Sequence, residues 1–428
     1  MLRSASVVCL GIVLAGALYA QDDPPSKDLD PESPYDNAQV LARAMQLIRQ
    51  DYVDEKKISY RDLTYGALRG MLSELDPHSQ FMDPRDFKDM QDDTKSEFGG
   101  LGIVVTMEDG SLTIVNPMED SPGFDAGIKP GDRILRINGT STEKLTLPQA
   151  VEMLKGDIGE KVSLTLLRPS TKEIKDYDLT RVTIKVKSVK DAQILPTTGP
   201  QDMKIGYVRI TQFNEPTATE LAKALDKLDK EGMQALVLDL RYNPGGLLNS
   251  AVDVCGLFLP QGTRVVSTEG RSPGREYRTS LHGAKPRTLP LAILVNYASA
   301  SGSEVVAGAL KDLNRAMIIG ETTFGKGSVQ SVISLPDGSA LRLTTAKYYT
   351  PSRLVIHKVG VSPTIRATMS QQQEYDLLDS RRDQENANKV ISFSNDPQLS
   401  RAVDVLRGDL IFTARQLPAK AASTTKGS

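Results

Sequence analysis

Three serines alternate with small residues directly after an apolar segment at residues 291–295, which predicts a buried strand. They are Ser299, Ser301 and Ser303, and the small residues among them allow a sharp turn into a helix. A serine at such a junction projects into the crevice at the carboxyl end of a sheet, where open α/β folds bind ligands. The segment therefore fits a nucleophile with helix N–H groups facing an oxyanion. Alternatively, Ser303 only caps the helix and the other serines have no chemical role.

A lysine between two glycines follows the next predicted strand, at residues 316–319. A phosphate-binding loop requires Ser or Thr directly after its lysine. Here Gly327 follows Lys326, and the next residues have a β pattern rather than a helical one, so nucleotide binding is disfavoured. The flanking glycines instead suggest backbone packed closely around an inward-pointing amine, although a solvated surface lysine gives the same pattern.

To act as a general base, the Lys326 amine must lose its proton near neutral pH. Its pKa must then fall from about 10.4 to about 7–8, through desolvation and the absence of a carboxylate partner. We expect Phe324 and Val329 to form apolar walls around it. Gln330 falls on the same side of the strand, because strand side chains alternate, and is expected to orient the amine without protonating it.

The histidine content limits the other bases. The three histidines show neither a Ser–His–Asp pattern nor metal-ligand spacing; they are His78, His282 and His357. We therefore expect a serine hydrolase whose base is a lysine, with no metal and no cofactor.

A glycine turn follows another buried strand, predicted at residues 235–240. Glycines there let backbone N–H groups face a ligand without a Cβ in the way. Gly245 or Gly246, together with the N–H of Gly302, is therefore predicted to form an oxyanion hole. An ordinary turn between strand and helix is the alternative interpretation.

A second glycine-rich turn feeds a predicted strand nearer the N-terminus. Such a turn exposes successive N–H groups as a nest for a peptide carboxylate, and the strand edge can pair with an extended peptide. The residues concerned are Gly100, Leu101, Gly102 and Ile103. A glycine-rich hairpin without a ligand is the alternative.

The elements that position these residues follow one another in blocks. Residues 36–96 have a helical pattern, 97–185 contain short strands with glycine turns, and 186–370 alternate strands and helices. Residues 371–416 are polar and helical. The β-α-β succession predicts a mostly parallel sheet covered by helices, and so an α/β multidomain protein.

The two ends of the chain differ from these blocks. Residues 1–20 resemble a secretory signal peptide, with an uncleaved membrane anchor as the alternative. Residues 21–35 and 417–428 are expected to be disordered. Cys255 is the single cysteine outside the leader, so no intramolecular disulfide is expected. These features predict export to a periplasmic or other extracytoplasmic compartment, with membrane association if the leader is retained.

Composition excludes some partners. The 428 residues suffice for two or three domains. The net charge is −2, aromatic residues make up 5% of the chain and tryptophan is absent. Neither nucleic acid nor an anionic membrane surface is therefore expected as a bulk electrostatic partner.

Together these motifs resemble the carboxyl-terminal processing proteases, or tail-specific peptidases. The family pattern S-A-S-A-S-E resembles the serine segment, F-G-K-G-x-V-Q resembles residues 324–330, and N-P-G-G-x-L resembles residues 243–248. Residues 97–168 resemble the PDZ domain that is inserted in this family. The similarity extends over about residues 38–370.

The resemblance implies a core related to the crotonase/ClpP type and a serine endopeptidase with Ser301 as nucleophile, Lys326 as base and Gln330 as orienting residue. It also implies protein or peptide substrates recognised by their free carboxyl termini. Gly302 stands where the family usually has Ala, which predicts a looser turn. Ser303 is then expected to cap the helix.

Two functions remain to be distinguished. The first is a tail-selective protease, and the second is a catalytically inactive hydrolase fold that only binds peptides through its PDZ-like module. The presence of every required side chain favours the protease. The helical ends leave a homo-oligomer open, and a regulatory or adaptor protein remains unidentified.

Overall fold

The computed structural model describes residues 32–54, 58–118, 121–196, 203–280, 285–384 and 395–416. The leader, the C-terminal tail and His282 lie outside the described residues. The chain divides into two compact units, Met1–Met71 and Leu72–Ser428. No helix within the described ranges is long and apolar enough to cross a membrane.

The first helix begins earlier than the sequence predicted. Helix α1 (Pro34–Asp51) starts inside the segment 21–35 that was expected to be disordered. The Ser33 side chain accepts a hydrogen bond from the Asp36 N–H, and Pro34 occupies the first helical turn, which is a common helix start. Helix α2 (Tyr60–Ser73) follows.

The segment before the inserted domain contains strands as well as helices. Its further elements are β1 (Gln80–Met82) and α3 (Pro84–Lys95), and β2 (Glu97–Gly100) begins the next segment. Asp83 caps α3 by accepting hydrogen bonds from the N–H groups of Arg85 and Asp86. The helical pattern of residues 36–96 therefore missed β1, which pairs with a strand of the core domain.

The segment predicted as the inserted domain, residues 97–185, contains short strands and helices around an apolar cluster of its own. Its further elements are β3 (Ile103–Glu108), β4 (Ser111–Pro117), α4 (Pro122–Asp125), β5 (Arg133–Ile137), β6 (Thr140–Ser141), α5 (Leu147–Leu154), β7 (Lys161–Arg168), β8 (Glu173–Thr180) and β9 (Val182–Lys185). The main sheet has the order β3-β4-β5-β7-β8, so β3 is an edge strand. Strands β2 and β9 form a separate antiparallel pair at the base of the domain.

The core domain contains two sheets. Its elements are β10 (Val189–Ile194), β11 (Ile205–Ile210), α6 (Thr217–Lys230), β12 (Ala235–Asp239), α7 (Leu248–Gly256), β13 (Arg264–Gly270), β14 (Arg275–Arg278), β15 (Leu291–Val295), α8 (Gly302–Asp312), β16 (Met317–Gly320), β17 (Ser328–Ser334), β18 (Ala340–Tyr349) and β19 (Ile365–Arg366). The first sheet has the order β10-β11-β12-β15-β16-β19 and is parallel except for β10. The predicted α/β class with a mostly parallel sheet is confirmed.

The parallel sheet is buried on both faces. Leu236 and Leu238 of β12 pack in the same apolar cluster as residues of α6, α7 and α8. Val237 faces the other side and shares a cluster with Leu406, because side chains alternate along a strand. Leu406 belongs to α10 (Pro397–Gln416), which follows α9 (Gln371–Gln384). The C-terminal region thus covers one face of the sheet.

The second sheet was not predicted. It is antiparallel, with the order β1-β18-β13-β14, and β17 pairs with β18. Its long strand β18 carries several partly buried side chains, so the sequence there lacks the continuous apolar run of the parallel strands.

Candidate active site

Three loops meet at the carboxyl edge of the parallel sheet. Strands β12, β15 and β16 are neighbours and end at Asp239, Val295 and Gly320. The glycine turn, the serine turn and the lysine loop therefore start side by side, at the edge where open α/β sheets bind ligands.

Ser301 has a strained backbone at the start of α8. Its φ is 51° and its ψ is −110°, a region that non-glycine residues rarely occupy. Such a conformation costs about 1–3 kcal/mol and is common where a turn presents a nucleophile. Ser301 itself is at the N-cap position. The expectation that Ser303 caps the helix is therefore wrong.

The two neighbouring serines have structural roles. The Ser299 hydroxyl donates to the carbonyl oxygen of Leu240 at 2.8 Å. The Ser303 hydroxyl donates to the carbonyl oxygen of Asn243 at 2.9 Å. Both hydroxyls join the serine turn to the glycine turn. Of the three, only Ser301 lines the cavity between the loops.

A buried carboxylate joins the serine turn to the lysine loop. Oε2 of Glu304 accepts hydrogen bonds from the N–H groups of Ser301 at 2.8 Å and Lys326 at 2.9 Å. Its Oε1 accepts from the Gly325 N–H at 2.7 Å and the Thr323 hydroxyl at 2.5 Å. Burial raises the pKa of Glu304, and the four donors lower it in part. Glu304 thus fixes the main chain of both candidate catalytic residues.

The glycines beside Lys326 allow the backbone of residues 357–360 to pack against the lysine loop. A Cβ at Gly325 would lie 3.1 Å from the carbonyl carbon of Lys358. A Cβ at Gly327 would lie 2.2 Å from the backbone nitrogen of His357. Only glycine therefore fits on either side of Lys326 without moving the backbone.

The half-buried Lys326 amine has a lowered pKa. Burial is the largest cause, and the positive charge of Arg342 adds to it, while the negative charge of Glu304 acts in the opposite direction. Val329 lines the same cavity. Phe324 does not form the expected wall, since it is 63% exposed. Its N–H donates to the Ser299 carbonyl at 3.0 Å, which directs the chain past the serine turn.

Gln330 lines the cavity but its amide nitrogen is engaged elsewhere. It donates to the hydroxyls of Ser328 at 2.9 Å and Thr344 at 3.3 Å. The register of β17 against β18 shifts between Val329 and Gln330. This irregularity interrupts the alternation of side chains along the strand, on which the expected position of Gln330 beside Lys326 depends. No hydrogen bond joins Gln330 to the Lys326 amine among the described residues.

The cavity between the loops has a volume of about 640 Å³. Ser301, Lys326 and Arg342 line it, and α3 of the preceding segment forms part of its wall. The Tyr348 phenol also faces it beside the Ser301 hydroxyl, and burial raises the pKa of Tyr348 to about 12. The cavity therefore brings together a serine hydroxyl, a partly desolvated amine and space for a peptide.

The glycine turn lies against the serine turn, as expected for an oxyanion hole. A Cβ at Gly245 would lie 2.7 Å from the Ser301 Cβ. However, the Gly245 N–H donates to Oδ1 of Asn243 at 2.8 Å, so it is not available to a ligand. The N–H groups of Gly246 and Gly302 have no acceptor among the described residues.

Packing also favours a glycine at position 302. A Cβ there would lie 3.0 Å from Cδ2 of Phe213, closer than almost all real contacts. Phe213 in turn holds the glycine turn, since its N–H donates to the Gly245 carbonyl at 2.9 Å. The turn at Gly302 is therefore tightly packed rather than loose, which corrects the expectation from sequence.

Two histidines lie near the lysine loop without lining the cavity. The N–H of His78 donates to Asp76 at 2.8 Å, and burial together with the Lys326 charge lowers the pKa of the His78 imidazole. His357 packs its backbone against Gly327. Within the described ranges, no group of His, Cys, Asp and Glu side chains could hold a metal ion.

The second glycine-rich turn leads into the edge strand β3. The N–H groups of Leu101 and Gly102 have no acceptor among the described residues. Gly102 has a φ of +66°, and a Cβ there would lie 2.2 Å from that of Ser121. The carbonyls of Leu101 and Gly102 accept from the N–H groups of Gly123 and Met118. Gly100 pairs with Val182 in the basal strand pair instead.

Comparison with known families and proteins agrees with these features. The model of peptidase family S41 matches residues 204–367, and a PDZ domain model matches residues 113–168. The model of the activating protease CtpB N-terminal domain matches residues 15–85.

Several full-length relatives are similar over most of the chain. A carboxy-terminal-processing protease of Bartonella bacilliformis is 36% identical, over 97% of this chain and 98% of its own. The carboxy-terminal processing protease CtpA of Bacillus subtilis is 37% identical, over 79% of this chain and 71% of its own. A carboxyl-terminal-processing protease of Synechocystis is 36% identical, over 76% of this chain and 79% of its own.

Glu304→Gln tests the carboxylate link. The amide has one acceptor oxygen and a donor NH₂ that would face backbone N–H groups, so the loops should shift. We expect kcat to fall about 10²-fold, the effect of a displacement near 1 Å. Glu220→Gln is the control, since Glu220 also accepts backbone N–H groups, from Ser188 and Val189, but away from the cavity. A Glu304→Gln protein with unchanged kcat would contradict the role assigned to this carboxylate.

Proposed function

Because this chain belongs to the carboxy-terminal processing proteases, which are serine-type peptidases of family S41, we propose that Ser301 is its nucleophile and Lys326 its general base. One observation carries the proposal. Of the three serines on the turn, only Ser301 lines the cavity that Lys326 also lines, while the other two hydroxyls donate to backbone carbonyls.

The dyad accounts for both halves of peptide hydrolysis. The neutral Lys326 amine takes the proton of the Ser301 hydroxyl as its oxygen attacks the carbonyl carbon of the scissile bond. The resulting ammonium gives that proton to the leaving amine, and an acyl ester on Ser301 remains. Lys326 then takes a proton from a water molecule that attacks the ester, and returns it to the serine.

The surroundings of Lys326 support a neutral amine. Burial and the Arg342 charge lower its pKa, and together they outweigh the Glu304 carboxylate. Keeping the amine neutral costs free energy, which the rigid packing of the lysine loop must supply. We propose that Gln330 contributes to the wall of this cavity rather than holding the amine directly.

The N–H groups of Gly246 and Gly302 are the proposed oxyanion hole. Both lack an acceptor within the described residues, and the glycine turn packs directly against the serine turn. A donor of this kind is typically worth about 10²–10³ in rate. Gly245 has a supporting role, because its N–H bonds to Asn243 and its lack of a Cβ permits the close approach.

The PDZ domain is proposed to capture the free carboxyl terminus of the substrate. The N–H groups of Leu101 and Gly102 would receive the carboxylate, and the edge strand β3 would pair with the tail from Ile103 onward. The same fold then holds a tail in one domain and offers an upstream peptide bond to the other. We further propose that the leader, residues 1–20, directs export from the cytoplasm.

The dyad is tested on an unfolded reporter protein with a free apolar carboxyl tail. We expect cleavage by the wild type, no cleavage by Ser301→Ala, and a rate lowered about 10²–10⁴-fold in Lys326→Ala, the usual loss of a general base. Lys230→Ala, on the exposed end of α6, is the matched control and should retain the wild-type rate. Unchanged cleavage by Lys326→Ala would exclude the dyad, and tail binding without any cleavage by the wild type would favour a pure binding protein.

Tail recognition is tested with the Ser301→Ala protein, which leaves its peptide ligand intact. A fluorescent peptide with a free apolar carboxyl terminus should bind at least about tenfold more tightly than its carboxyl amide, because charge-assisted hydrogen bonds contribute about 1.5–3 kcal/mol. Fluorescence anisotropy gives both dissociation constants. Equal affinity for the acid and the amide would show that the carboxylate is not recognised.

A further inference from the structure

The C-terminal region contacts residues that lead into the loops of the active site. The peptidase family S41 model ends at residue 367, whereas α9 begins at Gln371 and α10 at Pro397. Both helices place side chains against residues that directly follow strands β12 and β15. These contacts link a region outside the family model to the glycine and serine turns.

A buried group of charges forms the first link. Arg241, the second residue after β12, donates to Asp239 at 2.7 Å and to Asp396 at 2.7 and 2.9 Å. Oε1 of Gln398 also accepts a hydrogen bond from Arg241, at 3.1 Å. Arg381 donates to Asp239 at 2.7 Å. Two guanidinium groups thus balance two carboxylates, and all four residues are at most 9% exposed.

Helix α9 provides the second link. Glu374 and Arg381 are seven residues apart, so they lie on one face of the helix. Oε2 of Glu374 accepts a hydrogen bond from the Tyr297 hydroxyl at 3.3 Å, and the Arg381 guanidinium lies 5.6 Å from the ring centre of Tyr242. Tyr242 and Tyr297 meet edge to face at 6.2 Å. One helix face therefore contacts both the glycine turn and the serine turn.

The turn that these groups contact lies between β12 and α7. Tyr242 has a φ of 62°, an uncommon conformation for an aromatic residue. Its N–H donates to Oδ1 of Asn296 at 3.0 Å, and Gly246 follows four residues later. A buried charge such as Arg241 keeps its position only while its partners remain, since an unpaired buried charge is strongly unfavourable.

We propose that Arg381 and Asp396 are positioning residues: Asp396 pairs with Arg241 and Arg381 pairs with Asp239, and together they keep the Gly246 N–H in place beside Ser301. This inference rests on the proposed function, because it assigns the glycine turn to the oxyanion hole. The C-terminal region is then a part of the catalytic domain and not an independent tail. Loss of these contacts would displace the Gly246 N–H, while Ser301 and Lys326 would stay linked through Glu304.

Two full-length variants and a control test this inference. Arg381→Gln removes the cation that pairs with Asp239, and Asp396→Asn removes the carboxylate charge that pairs with Arg241. Asparagine at 396 still caps α10, where Asp396 accepts from the Leu399 N–H at 2.9 Å. Asp379→Asn removes a charge from the exposed side of α9. The measurements are kcat and KM on a peptide, the affinity for a peptide aldehyde that forms a tetrahedral adduct with Ser301, and the melting temperature.

We expect Arg381→Gln and Asp396→Asn to lower kcat about tenfold, with KM within twofold, because a displaced oxyanion donor acts on the transition state. Affinity for the aldehyde should fall by the same factor, and Arg381→Lys should recover part of both. Asp379→Asn should behave like the wild type. A lower melting temperature with unchanged kcat and aldehyde affinity would overturn the inference. The proposed function is judged separately, since it fails only if the wild type does not cleave or Ser301→Ala does.

Discussion

The buried carboxylate of Glu304 is the constraint on which the site depends. It accepts four hydrogen bonds, three of them from backbone N–H groups of the serine turn and the lysine loop. A carboxylate without access to water is stable only with such donors, so the two loops are held together by its need for partners. The strained backbone of Ser301 is tolerated because its N–H is one of the four.

The charge of the same carboxylate opposes the proposed role of Lys326 as a base. Its negative charge favours the protonated form of Lys326, yet the pKa of Lys326 is lowered overall. Two effects decide the balance: the amine is partly desolvated, and Arg342 places a positive charge nearby. Glu304 meets the lysine loop through the main-chain N–H of Lys326, whereas the amine is at the far end of the side chain. A carboxylate can thus position a neutral lysine without forming an ion pair with it.

The sequence predicted those parts of the fold that have a strong local pattern. Strand 291–295 is apolar throughout and has the predicted bounds, whereas the antiparallel sheet depends on pairing between distant segments. For the site, Ser301 and Glu304 form a Ser-x-x-Glu pattern, which is typical of a helix start and would have placed the cap at Ser301. No local pattern reveals the bond between Arg241 and Asp396, because the partners are 155 residues apart.

The protonation of the Lys326 amine is the central claim and can be measured directly. In protein labelled with ¹³C-lysine, NMR titration follows each ε-methylene resonance with pH, and Lys326→Arg identifies the signal. A base must be neutral, so activity should rise as pH increases through the pKa of Lys326. We expect this resonance to titrate well below about 10.4, the ordinary lysine value, and to match the acid limb of kcat/KM. Titration at or above the ordinary value would contradict the Ser301–Lys326 dyad.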